Sequence, residues 1–194
     1  MPMALVGEPP KRRAAVPSGV LGMLLFVAAE VMFFAGLISA FTITRAGAPP
    51  LAWSLPGGVV LPAAETAFNS IVLMMSGVVL VVAHWRLRRG EDAKAARALL
   101  AATILGAAFV LLQGREWWGL LSRGVTMQTS TLGAFFYLIV GTHALHAACA
   151  IVGLGVAWWR LRRGALPAGF FYTAETFWYF VVAIWPVIYF RVYF

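Results

Sequence analysis

Five runs of apolar residues, each long enough to cross a membrane as a helix, dominate this chain. A transmembrane helix needs roughly 20 apolar residues to cross a hydrocarbon core of about 30 Å. None of the runs alternates polar and apolar residues as the wall of a membrane β-barrel does. The sequence therefore predicts an all-α fold, a polytopic membrane bundle of five transmembrane helices. The predicted spans are residues 20–43, 62–85, 95–118, 132–159 and 170–193.

The composition indicates the same class. Hydrophobic residues make up 62% of the 194-residue chain and charged residues 11%, and a soluble domain of this size could not bury so much apolar surface. The net charge of +8 would suggest nucleic-acid binding in a soluble protein. Here the basic residues stand at the ends of the apolar runs, where they set membrane topology, so no nucleic-acid partner is expected.

The distribution of lysine and arginine predicts the orientation. Eleven of the fifteen lie in the N-terminal tail and in two loops, at residues 86–97 and 160–163, and four lie on the other side. Because basic residues are retained on the cytoplasmic side, we expect a cytoplasmic N-terminus and a periplasmic C-terminus in a bacterial inner membrane. Residues 1–18 are predicted to be a disordered cytoplasmic tail, and residues 19–194 the five-helix transmembrane domain.

One short repeat, HWRLRRG at 84–90 and WWRLRRG at 158–164, closes the second and fourth runs. It can reflect duplication of a helical hairpin or convergence. We favour convergence, because a tryptophan, arginines and a terminal glycine suit any cytoplasmic helix end. Arginines at such a position also hold lipid phosphates. The predicted lipid-binding residues are Arg160, Arg86, Trp85 and Trp159.

Four ionisable residues fall inside the predicted spans at similar depths. At 1.5 Å per helical residue, Glu30 lies roughly 15 Å from the cytoplasmic face and His143 roughly 12 Å. His146 lies roughly 8 Å and Glu175 roughly 7 Å from that face by the same count. Intramembrane charge is expensive and needs a partner or a purpose. We therefore expect the bundle to bring these residues together.

Several kinds of site are compatible with these residues. A bis-histidine haem needs two facing imidazoles, but the third histidine, His84, is predicted at the shallow end of its span. Glu30, His143 and His146 are acceptable metal ligands, but a second Glu-x-x-His unit of the di-iron kind is missing. A structural histidine–carboxylate pair and a proton-handling carboxylate fit better, and the residues alone leave both open. We expect no metal and no other cofactor on this chain.

Five segments, in order, resemble the conserved core of the cytochrome c oxidase subunit III family. They are GMLLFVAAEVMFFAGLISAF at 22–41, AFNSIVLMMSG at 67–77, LLQGREWW at 111–118, GTHALHAACAIVG at 141–153 and FWYFVVAIWPVIYF at 177–190. The resemblance runs over residues 20–194. Each segment alone is a weak signal, but five collinear segments are specific.

The resemblance implies a function and a set of partners. It implies a non-redox accessory subunit of a proton-pumping haem-copper terminal oxidase in aerobic respiration, with haem and copper carried by partner subunits I and II. The chain would bind structural phospholipids and support proton uptake, with no catalytic residue or redox centre of its own. Glu30 matches the family's membrane glutamate, His146 the second histidine of its H-x-x-H pair, and Arg160 its lipid-phosphate arginine.

Two departures from the family pattern limit what the resemblance implies. Many members have seven spans, whereas five are predicted here. Many also carry W-H-x-V-D in the last span, where this chain has Tyr179 and Val182 in place of the histidine and the aspartate. The electron donor, cytochrome c or quinol, stays open. A related accessory subunit of nitric oxide reductases and a small proton-coupled transporter that uses Glu30 and Glu175 are alternative functions.

The resemblance also sharpens one structural expectation. We predict that Glu30 lies within hydrogen-bond reach of His143 or His146, and we prefer His146 because the family motif marks it. Pairing of His146 with Glu175 is the alternative, and it agrees better with the estimated depths.

Overall fold

The computed structural model describes residues 18–49 and 53–194, which form five long α-helices and one short 3₁₀ helix. All five α-helices are long and apolar enough to cross a membrane. The prediction of an all-helical chain with five spans is confirmed. Residues 1–17, which make up most of the predicted tail, lie outside the described residues. The helices are α1 (Ser18–Gly47), α2 (Ala63–Arg88), α3 (Asp92–Ser122), α4 (Thr131–Arg162) and α5 (Ala168–Val192).

The helices continue beyond the apolar runs that predicted them. α2 and α4 run past Trp85 and Trp159, through the basic repeat, to Arg88 and Arg162. Polar and basic residues at a membrane interface can extend a helix although they leave the hydrocarbon. Apolar runs therefore predict the middle of each helix better than its ends. We call the end that carries residues 86–89 and 160–163 the basic end, and the end where α2 begins and α3 finishes the opposite end.

Four helices form a closed ring, and α1 lies outside it. α2 packs on α3, α3 on α4, α4 on α5, and α5 back on α2. α1 contacts α5 and, to a smaller extent, α4. Only Phe34 and Phe41 are buried along α1, so most of its apolar surface faces outward, as suits a helix that meets lipid or another membrane subunit.

Hydrogen bonds from tryptophan hold α5 in register with α2. Nε1 of Trp178 donates to Oγ of Ser76 over 3.2 Å, and Nε1 of Trp185 donates to Oγ of Ser70 over 2.8 Å. An indole N–H buried in an apolar interior needs an acceptor. The two bonds fix an antiparallel alignment, since later residues of α5 meet earlier residues of α2.

The repeat ends α2 and α4 in the same way. Gly90 and Gly164 have φ values of 72° and 65°, the left-handed region that favours glycine. In each copy the amide after the glycine donates to the carbonyl of the repeat's first arginine, over 3.0 and 2.9 Å. This is the Schellman geometry of a helix terminus, and it accounts for the glycine in both copies.

Candidate functional site

The structure brings Glu30 of α1 against His146 of α4. Oε2 of Glu30 lies 3.0 Å from Nε2 of His146, and the two side chains are only 18% and 12% exposed. This is an ion-pair distance, but its direction is too oblique for a hydrogen bond, and Oε2 has no hydrogen-bond partner among the described residues. Of the two histidines that the sequence offers as partners, His146 is the one at the carboxylate.

The other ring nitrogen of His146 constrains the protonation of the pair. Nδ1 lies 2.7 Å from the carbonyl oxygen of Thr142, and since a carbonyl only accepts, Nδ1 carries a hydrogen. Nε2 and Oε2 would repel each other at 3.0 Å if both presented lone pairs. The contact is therefore attractive only when a proton lies on one of the two groups. Such an arrangement can store and release a proton inside the membrane.

Four phenylalanine rings surround the imidazole of His146, with ring centroids between 5.6 and 6.4 Å from it. The rings cover much of the imidazole, and a low local dielectric strengthens the interaction between the two members of the pair. α1 and α5 therefore build the surroundings of a histidine that α4 carries. The rings are Phe26 and Phe34 of α1 and Phe177 and Phe180 of α5.

His143 faces the core of the ring of helices. It is 1% exposed, and neither ring nitrogen has a hydrogen-bond partner among the described residues. Its ring centroid lies 4.8 Å from that of Trp185 and 6.2 Å from that of Phe109. The structure thus packs His143 like an aromatic residue between α3 and α5, away from the carboxylate of Glu30.

Glu175 pairs with His84, the histidine that the sequence places at the shallow end of its span. Oε2 of Glu175 lies 2.8 Å from Nδ1 of His84 in a hydrogen bond between α5 and α2. The side chain of His84 is 25% exposed and that of Glu175 is 8% exposed. The four residues predicted to share one layer are thus divided between two separate histidine–glutamate pairs and one packed histidine.

A third carboxylate, Glu116, ties α3 to α2 at the opposite end. It accepts hydrogen bonds from the hydroxyl of Thr66 (2.7 Å), Nδ2 of Asn69 (2.6 Å) and Nε2 of Gln113 (2.9 Å). Nε2 of Gln113 also donates to the hydroxyl of Tyr193, over 3.2 Å. Thr66, Asn69 and Gln113 are all buried. Three donors satisfy the carboxylate, so it acts as a clamp between helices.

The two arginines predicted to bind lipid have different surroundings. Nη1 of Arg86 lies 2.6 Å from Oε2 of Glu91, and Nζ of Lys94 lies 3.2 Å from the same oxygen. The hydrogen bond from Arg86, and then that from Lys94, hold the pKa of Glu91 below its ordinary value, so it stays ionised at neutral pH. The guanidinium of Arg160 lies over the ring of Phe170, 4.6 Å from its centroid, and has no carboxylate partner in the described part of the chain. Arg160 is the freer of the two.

The two tryptophans of the repeat lie at the surface of the basic end. Trp85 is 62% exposed and Trp159 is 48% exposed. Arg89 and Arg163 lie over their rings, at 4.5 and 4.0 Å from the centroids. Exposed tryptophans stacked with cations are typical of the membrane–water interface.

A family model described as cytochrome c oxidase subunit III matches residues 10–194. The chain belongs to this family. Proteins named cytochrome c oxidase subunit 3 from Lumbricus terrestris, Gadus morhua and Lemur catta are each 31% identical to it over 89% of its length. The matches cover 68%, 67% and 64% of those proteins, so the chain spans about two thirds of their length.

Membership makes this chain a subunit III of a haem-copper oxidase and therefore part of a complex with other oxidase subunits. Members of this family are non-redox subunits of the oxidase. Within residues 18–49 and 53–194, no group of three or more His, Cys, Asp or Glu could hold a metal ion. The five spans agree with a multi-pass membrane protein.

Two features of this subunit III were not predicted from the sequence. Phe26, Glu30 and Phe34 are four residues apart and so share one face of α1, which was a usable signal for the rings around the pair. The pairing of His84 with Glu175 joins residues 91 positions apart. No local sequence pattern predicts a contact between residues so far apart in the chain.

Proposed function

We propose that this chain packs beside subunits I and II of a proton-pumping terminal oxidase and supports proton uptake by subunit I. The observation that carries the proposal is the pair of Glu30 and His146, two ionisable groups that lie 3.0 Å apart in the membrane-spanning part of a subunit from a non-redox family. An intramembrane ionisable residue is expensive to maintain and commonly marks a proton relay. The aromatic rings around the pair limit proton exchange to groups close to it. This suits a proton reservoir beside another subunit.

The outer position of α1 supports assembly with a larger membrane partner. α1 carries Glu30 and leaves large apolar side chains exposed, with Leu25 at 67%, Met32 at 69% and Ile43 at 73%. Membrane helices associate through packing of such surfaces. A partner that covers α1 would also approach the Glu30–His146 pair.

For the location we propose a bacterial inner membrane, with the N-terminus in the cytoplasm and the C-terminus in the periplasm. The support is the charge distribution, since eleven of the fifteen lysines and arginines belong to the N-terminal tail and to the loops at the basic end. Basic loops are retained in the cytoplasm during insertion.

An affinity tag fused before Met1 tests assembly and orientation together. In spheroplasts we expect the tag to resist added protease, and in inverted vesicles we expect it to be cut. Extraction in mild detergent should recover subunits I and II with this chain, and the eluate should show a haem spectrum. A colourless homo-oligomer would contradict the proposal and favour a transporter, and co-purified nitric oxide reductase would favour the related accessory subunit.

We also propose that Arg160 binds a phospholipid phosphate at the basic end, beside Trp159. Arg160 and Arg86 hold the same position in the repeat, but the residue after the repeat is Ala165 in one copy and Glu91 in the other. Glu91 already accepts a hydrogen bond from Arg86 over 2.6 Å, which leaves that guanidinium less available. The phosphate is therefore assigned to Arg160, and Arg86 with Trp85 forms a weaker contact.

Replacing Arg160 with glutamine is expected to lower phospholipid retention about fivefold, since an arginine near the surface contributes about 1 kcal/mol of attraction to anionic lipid. Native mass spectrometry of the tagged complex measures the loss. Arg86→Gln is the matched control, because it alters the same position of the other repeat, and it should change retention much less. Equal retention in wild type and Arg160→Gln would leave the arginine as a topology signal only.

A further inference from the structure

A groove of about 550 Å³ opens between α2 and α3 at the opposite end of the bundle, away from the arginines of the repeat. The part of its lining nearer the middle of the bundle is apolar, and the part nearer the end of the bundle is charged. Phe68 and Leu112 supply apolar surface, and Glu65, Arg115 and Arg123 supply charge. The groove is far larger than the share of volume of one water molecule, about 30 Å³. It can hold a headgroup together with part of an acyl chain.

Three of the charged side chains that line the groove have no ion-pair partner in the described part of the chain. Glu65, Arg115 and Arg123 are exposed, and none of them forms an ion pair within residues 18–49 and 53–194. Glu116 also lines the groove, but Thr66, Asn69 and Gln113 already donate to its oxygens. The charges left for a ligand are thus two positive and one negative.

The two arginines can reach one phosphate. They are eight residues apart on α3 and its C-cap, so they lie on one side of the helix about 12 Å apart along its axis. Arginine side chains extend toward the headgroup layer and keep their stems on apolar surface, so Arg115 can bring its guanidinium up toward Arg123. Paired guanidinium groups are suited to phosphate oxygens.

We propose that this groove binds one aminophospholipid, a lipid whose headgroup joins a phosphate to a protonated amine. Arg115 and Arg123 hold the phosphate, Glu65 accepts the ammonium group, and an acyl chain lies along Phe68 and Leu112. The charge pattern selects this class, because an anionic glycerol headgroup would leave Glu65 unmatched beside the phosphate. A metal cation is a poorer occupant, since the donors around Glu116 already consume its lone pairs and the arginines repel cations.

The test uses the tagged chain together with whatever native partners it brings, so its outcome does not depend on the identity of those partners. The delipidated complex is incubated with equal amounts of phosphatidylethanolamine and phosphatidylglycerol, and native mass spectrometry counts each lipid retained. We expect the wild type to keep phosphatidylethanolamine in preference. Arg115→Gln and Arg123→Gln should each weaken that retention about fivefold. Arg191→Gln, which changes an exposed arginine of α5 outside the groove, is the control.

Two further variants separate filling of the groove from loss of charge. Gly119 lines the groove, and a Cβ there would meet nothing within 4 Å, so Gly119→Leu introduces a large apolar side chain at the groove from a position with open space. Gly114 on the same helix has equally open space but lies outside the lining, so Gly114→Leu is the matched control. We expect Gly119→Leu to lose the bound phosphatidylethanolamine and Gly114→Leu to keep it.

Glu65→Gln tests the selectivity directly. Without the negative charge, the groove should keep its total lipid but lose its preference for phosphatidylethanolamine. The proposal is overturned if the wild type prefers phosphatidylglycerol, if Glu65→Gln leaves the preference unchanged, or if Gly119→Leu and Gly114→Leu retain the same lipid.

Discussion

Replacing Glu116 with alanine is expected to destabilise the bundle by about 3 kcal/mol. The carboxylate accepts three hydrogen bonds from buried side chains on α2 and α3. Hydrogen bonds to a charged group contribute about 1.5–3 kcal/mol in soluble proteins, whereas side-chain bonds in membrane bundles average about 0.6 kcal/mol. The free energy contributed by each of the three bonds to this half-buried carboxylate should lie between these limits. Alanine would also leave Nδ2 of Asn69 without its acceptor, whereas the hydroxyl of Thr66 keeps the carbonyl oxygen of Pro62 and Nε2 of Gln113 keeps the hydroxyl of Tyr193.

Thermal release of this subunit from the purified oxidase measures the loss, and hydrogen–deuterium exchange of residues 63–70 localises it. Arg191→Gln is the control, because Arg191 is an exposed residue of α5 outside the hydrogen bonds of Glu116. Its effect should stay within about 0.5 kcal/mol. Glu116→Gln keeps one acceptor but turns an amide toward donors, so an intermediate loss is expected. A wild-type release temperature for Glu116→Ala would contradict the clamp.

The five spans were predictable because crossing the membrane is a one-dimensional requirement on the sequence. Apolar length alone locates a span, whatever the neighbouring helices do. The prediction was weakest at the ends, since α4 extends to Arg162 although its apolar run stops at Trp159. Depths counted from those ends shift by several ångström, and the shift differs from helix to helix. The depth estimate therefore placed Glu30 about 7 Å deeper in the membrane than His146, although the structure puts the two residues in contact.

The partners of the buried polar groups were harder to predict, because pairing depends on how each helix is rotated about its axis. His84 meets Glu175 only because α5 lies antiparallel to α2, an alignment set by the bonds of Trp178 and Trp185. Glu116 follows an arginine and precedes two tryptophans, which is also the pattern of an ordinary interfacial anchor. Nothing in that local sequence reveals Thr66 or Asn69 as its donors.

Replacing Glu30 with glutamine is expected to leave the subunit assembled but to shorten sustained turnover of the oxidase severalfold at high pH. A glutamine amide can donate to Nε2 of His146, whose Nδ1 is committed to the carbonyl of Thr142. The contact is thereby kept while the exchangeable proton is lost. If the pair supplies protons to subunit I, the deficit should grow as pH rises, because the proton concentration in solution falls. Oxygen consumption followed over many turnovers at several pH values measures the effect.

Two further variants separate proton supply from packing. Glu30→Ala removes the partner of His146 and opens a small cavity, so we expect a loss of about 2–3 kcal/mol and less subunit in the purified complex. Glu175→Gln removes the carboxylate of the other histidine–glutamate pair, which lies at the basic end beside a partly exposed histidine. Turnover of the oxidase that carries Glu175→Gln should decay as in the wild type, because the proton reservoir is assigned to Glu30. Wild-type turnover in Glu30→Gln together with subunit loss in Glu30→Ala would show that the pair is structural and carries no proton for the oxidase.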